Sequence, residues 1–101
     1  MYVFDIIQTY WRTRRFRDRV REGYELRRRK QTKAANAAWQ TAQRAIARNM
    51  WIDELARKDL YAVRVLFFAA AHCHDPSARG DEWAREVWAD YLRYRKQHGY
   101  K

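Results

Sequence analysis

The stretch ELARKDLYAVRVLFFAAAHC, residues 54–73, decides how this chain folds. From Tyr61 onward it is apolar around most of a helical circumference. Leu55, Ala62, Leu66 and Ala69 fall on one side, and Leu60, Val63, Phe67 and Ala71 on another. A helix that is apolar on both sides needs neighbours on both sides, so residues 54–73 are expected to form the central, most buried helix.

The flanking segments carry narrower stripes. From about Thr32 to Met50, Ala35, Trp39, Ala42, Ile46 and Met50 recur at intervals of three and four, the cleanest amphipathic pattern in the chain. The pattern slips at Trp51 and Ile52, which predicts a boundary near 49–53 with Asn49 or Asp53 as N-cap. Downstream, residues 72–80 read as a loop. A final helix over about 81–98 shows Trp83, Val87, Tyr91 and Tyr94 on one face, broadened by Trp88 and Leu92. Asp75-Pro76 offers an alternative start that would place Gly80 inside that helix. At the other end, Val3, Phe4, Ile7, Tyr10 and Trp11 form one stripe, while Phe16, Val20 and Tyr24 form a second, rotated by more than a third of a turn. Gly23 weakens helix continuity there by about 1 kcal/mol relative to Ala.

Three glycines and one proline leave little material for turns, and strand-type alternation is missing. The expected fold is therefore all-α, a compact bundle of three to four helices with an Arg-rich N-terminal helix packed outside. A chain of 101 residues forms one domain, here 1–101. Hydrophobic residues at 48% and aromatics at 16% distinguish it from a disordered basic tail, despite a mean hydropathy of -0.89.

The charge is concentrated. Between Arg12 and Lys33 lie eleven basic residues against three acidic ones, a net +8 of the chain's +10. Such a run cannot be buried and must occupy a surface that favours an anionic partner. On a helical wheel, Phe16, Val20 and Tyr24 make a thin apolar stripe that Arg27 continues. Arg14, Arg17, Arg21 and Arg28 flank it on one shoulder; Arg12, Arg15, Arg19, Lys30 and Lys33 flank it on the other, and Arg29 completes the candidate contact set. Asp18, Glu22 and Glu25 lie opposite the stripe, each with an Arg three or four positions away, and are expected to neutralise the outermost ridge.

Three kinds of partner fit this arrangement. Nucleic acid fits best, because Arg outnumbers Lys nine to two and grips phosphates bidentately. The ridge offers acids, and the stripe hydrophobes, where a base-reading helix needs polar side chains, so sequence-independent backbone binding is expected. An acidic protein surface is the runner-up, met by the same arginines together with Trp11, Trp51 and Trp88 as contact aromatics, in an inhibitor or assembly subunit. For each of these tryptophans a place in the core or in self-association is the safer reading. An anionic membrane surface fits poorly, since three apolar residues are too few to anchor the helix. A solvated, self-paired face with no partner is the bland alternative, weakened by the large surplus of charge.

Other chemistry has little support. His72, Cys73, His74 and Asp75 are adjacent, and adjacent side chains on a helix diverge by about 100°, so no metal or other cofactor is expected. Ser77 is the only serine, no Gly-rich phosphate loop is present, and Cys73 cannot face a neighbouring His, so the chain does not read as an enzyme. A single cysteine allows no internal disulfide. The longest uncharged apolar run, Val65 to Ala71, is too short to cross a bilayer, and residues 1–5 do not resemble a secretory leader. A cytoplasmic or virion location is expected, and the size and composition suit an accessory factor such as a phage or mobile element encodes.

Overall fold

The structure, a computed structural model, describes residues 13–27 and 31–99. Among the described residues there are five helices and no strand: α1 (Arg14–Arg27), α2 (Lys33–Ala47), α3 (Ile52–Lys58), α4 (Leu60–His74) and α5 (Ala78–Gln97). The described residues are all-helical, as expected, but three to four helices undercounts them. The stripe from Val3 to Trp11 lies outside the described residues.

The count rises because the central stretch is two helices. Asp59 adopts φ -155 and ψ 88, its backbone N–H donates to Leu55 O, and its carboxylate accepts the Ala62 N–H at 3.1 Å. One residue thus closes α3 and caps α4. Arg57 and Lys58 sit at the negative end of α3, and the Asp59 carboxylate sits at the positive end of α4.

The other boundaries also follow from caps. Thr32 opens α2 by accepting the Ala35 N–H on Oγ1 at 3.1 Å, so the basic stretch 12–33 spans two helices. Asn49 is not the N-cap of α3; it stands at φ 54 just past α2, a left-handed position that Asn tolerates. Trp51 occupies the N-cap position of α3 without a side-chain cap bond, and Asp53 lies in the first turn. The expected loop over 72–80 shrinks to residues 75–77. Ser77 opens α5, its Oγ accepting the Arg79 N–H at 3.2 Å. Asp75 instead accepts from the Ser77 hydroxyl at 2.6 Å and the Ser77 N–H at 2.9 Å, which together hold its carboxyl below the ordinary 3.8.

Helix α4 is the hub: α1, α2, α3 and α5 all pack on it. Its buried Val63, Leu66 and Phe67 meet Val20 and Tyr24 of α1, Trp39, Ala42 and Ile46 of α2, Ile52 and Leu55 of α3, and Val87 and Tyr91 of α5 in one core. Gly23 does not break α1. A Cβ there would lie 2.0 Å from Ala69 O and 2.8 Å from the Cys73 Cβ. The missing side chain is what lets α1 approach the backbone of α4 so closely. Gly80 plays a similar part inside α5, where a Cβ would lie 1.8 Å from Asp75 O.

Aromatic edges complete the α4–α5 contact. The Phe67 ring meets Tyr91 at 5.4 Å and Trp88 at 5.8 Å, both edge-on. Asp53 ties α3 to α5 by accepting the Tyr91 hydroxyl at 2.7 Å and the Tyr94 hydroxyl at 3.3 Å. Burial, and then the bond to Asp53, push the Tyr91 phenol well above its usual pKa of 10.0. Among the described residues no helix is long and apolar enough to cross a membrane.

Candidate functional site

Helix α1 is held at the surface by its apolar stripe. Val20 and Tyr24 are buried in the core and Phe16 is packed half-buried against it. Burying two such side chains contributes several kcal/mol on the usual scale of about 1.5–3 kcal/mol each. Tyr24 also fixes α2: its ring stacks on Trp39 with centroids 4.2 Å apart and planes 9° apart, and its hydroxyl donates to Asn36 Oδ1. Earlier along α1, Arg14, Arg17 and Arg21 face Gln43, Ile46 and Ala47, which lie later along α2. The two helices therefore run antiparallel, closed at the Tyr24–Trp39 end and open along the arginines.

The structure separates the two basic shoulders. Arg14, Arg17 and Arg21 come together with Asp18 in the α1–α2 groove, whose volume is about 270 Å³. Arg15 and Arg19 lie on the other side with Thr13 and Phe16, around a shallow hollow of about 240 Å³. Lys33 stands apart, at the closed end of the helix pair, in a hollow of about 480 Å³ with Tyr24, Glu25, Asn36 and Gln40. Arg27 ends α1 and only its backbone is described. Trp11, Arg12, Arg28, Arg29 and Lys30 lie outside the described residues.

Density of charge sets this face apart, with five arginines within residues 14–21. Among the described residues, no carboxylate lies within ion-pair distance of Arg14, Arg15, Arg17, Arg19 or Arg21; the close pair is Arg93 with Asp90, on α5. Asp18 and Glu22 are exposed and make no ion pair among the described residues, so the expected neutralisation of the outer ridge by contact is not found at these two acids. Exposed pairs are worth about 0–1 kcal/mol, too little to immobilise two long side chains. Like charges three and four residues apart repel by a few tenths of a kcal/mol per pair, which an anion would relieve. Arg17 differs from its neighbours. It is half-buried, and its Nε is shut off from solvent with no hydrogen-bond partner among the described residues.

The aromatics divide as well. Trp51 is 47% exposed, whereas Trp88 is half-buried and packs on the Phe67 edge and on Tyr91. Cys73 is half-buried beside Gly23, and His74 faces the Trp83 ring at 5.6 Å. Among the described residues no three His, Cys, Asp or Glu side chains gather closely enough to hold a metal ion.

Sequence reasoning missed Gln43, which supplies a neutral amide to the arginine groove. An antiparallel α1–α2 pair would have found it, since Tyr24 opposite Asn36 places residues 17–21 opposite residue 43. It also missed a mixed groove of about 230 Å³ between α4 and α5, lined by Tyr61, Arg64, Phe68, Asp81 and Arg85. There Arg64 lies over the Phe68 ring at 4.5 Å, and Asp81 offsets part of the positive charge. The α1–α2 groove keeps the larger cationic surplus. No protein-family model, curated protein or solved structure matches the chain.

Proposed function

We propose that this chain is a small basic cytoplasmic accessory protein that binds the phosphate backbone of nucleic acid without strong sequence readout. The observation that carries this reading is the set of five arginines on α1 with no carboxylate in ion-pair range among the described residues. The helix that bears them is anchored by Val20, Tyr24 and the close approach at Gly23, so the charges are presented on a fixed support. Backbone rather than base contact follows from what lies between them. The outer ridge carries Asp18 and Glu22, and the stripe opposite is buried, so neither offers donors to a base edge.

Anisotropy titration of random-sequence duplex DNA at several salt concentrations tests this. If all five arginines meet phosphates, log K falls with log salt at a slope of about -4.5, a loss of roughly 500-fold between 50 and 200 mM. Changing Arg14, Arg17 and Arg21 together to Gln should reduce that slope by nearly three. No binding at low salt overturns the proposal. Trp51, 47% exposed, favours a second reading in which the same arginines dock on an acidic protein. A co-purifying protein that survives nuclease but is lost on the same triple substitution supports that second reading.

A further inference from the structure

We propose that the α1–α2 groove seats one backbone phosphate, with Arg17 as its inner donor and Arg14 and Arg21 at its rim. This rests on the phosphate-binding reading above but goes beyond it. A diffuse cationic face would treat every arginine alike, whereas the groove sets Arg17 apart. Its Nε is buried with no hydrogen-bond partner, and no carboxylate lies within ion-pair distance of its guanidinium, among the described residues. An unmade bond to a buried charged group is costly, so an acceptor brought by a ligand gains more at Arg17 than at an exposed guanidinium. Turned into the groove that Arg17 lines, the Nε–Nη edge can grip two oxygens of one phosphate.

The walls suit that occupant. Gln43 adds an uncharged amide donor, and Ile46 and Ala47 form an apolar side that strengthens charge-assisted bonds. At about 270 Å³ the groove is smaller than the roughly 300–1,000 Å³ of small-molecule pockets, which favours a phosphodiester over a whole nucleotide. Asp18 lines the same groove and opposes any anion entering it. It therefore weakens binding, and removing its charge should have the opposite sign to changing Arg17.

Three charge-defined variants test the seat, again with labelled random-sequence duplex DNA. Arg17→Lys keeps the charge but loses the planar fork, and should weaken binding about tenfold with the salt slope unchanged. Arg19→Lys, on the other shoulder, should stay within about twofold of the parent because a phosphate contact there needs only charge. Asp18→Asn should bind severalfold more tightly. Circular dichroism establishes that each variant is folded, and the exposed Asp18 site keeps the test valid should Arg17→Lys unfold. If the parent binds but Arg17→Lys matches Arg19→Lys, or Asp18→Asn gains nothing, the seat is wrong and the diffuse face stands. If the parent does not bind at low salt, both readings fail together.

Discussion

Replacing Gly23 by Ala probes the contact that sets α1 in place. The added Cβ would sit 2.0 Å from Ala69 O, and ordinary contact begins near 3.4 Å, so α1 must withdraw from α4 by at least about 1.4 Å. The obstacle is backbone, which cannot rotate aside, and the Cys73 Cβ at 2.8 Å blocks a sideways shift. Withdrawal loosens Val20 and Tyr24, both buried in the core. Overpacking costs about 1–3 kcal/mol and more where nothing can give, while Ala returns about 1 kcal/mol of helix propensity. The net effect is a loss of about 2 kcal/mol. At a urea dependence of about 1–2 kcal/mol per molar, the unfolding midpoint falls by roughly 1–2 M. Tryptophan fluorescence reports the transition, since Trp39 stacks on Tyr24. An equal or higher midpoint for Gly23→Ala, with an unchanged slope, would refute the close approach of α1 to α4.

Further outcomes concern the joints between helices. Asp59→Ala removes the cap of α4 and should cost about 1 kcal/mol in urea unfolding, with Asp59→Asn retaining most of the stability. Tyr91→Phe deletes the 2.7 Å bond to Asp53 and should cost about 1 kcal/mol, measured the same way at neutral pH. The phenol's raised pKa also makes a statement about alkaline solution. Above pH 10 the unfolded chain loses the Tyr91 proton while the folded one keeps it, so stability is intact below pH 10 and declines as pH rises beyond it. Thermal melts across that range should show Tyr91→Phe declining less steeply than the parent.

The helical class was legible because the stripes on α2 and α4 are long and regular, and the same residues, Trp39, Ala42, Ile46, Leu66 and Phe67, are buried. The division at Asp59 was hidden because the break leaves the apolar spacing undisturbed: Leu55 and Ala62 are seven residues apart and share a face whether or not the helix pauses between them. What marks the break is polar, a basic pair followed by an acid, and it is equally at home on a helix surface. Ser77 was passed over for Asp75 since both are good caps, and only the hydrogen bond between them decides which is used. The roles of Asp53 and Gln43 rest on partners far along the chain, as with Tyr91, 38 residues away, and no local pattern announces them. Gly23 reads as a weakness until a second backbone is placed beside it. The arginine shoulders could be drawn on a wheel, but which shoulder faces α2 depends on the antiparallel pairing through Tyr24 and Trp39.

Because the other four helices lean mainly on α4 and touch one another little among the described residues, the molecule is organised like spokes about an axle. Changes made on separate spokes should combine by simple addition except at the Tyr24–Trp39 and Asp53–Tyr91 joints, while those on the axle should not. The surface of α1 is then free to be rewritten, arginine by arginine, without disturbing the aromatic joint on α5. Such independence lets one outer face change its charge while the scaffold beneath it stays intact.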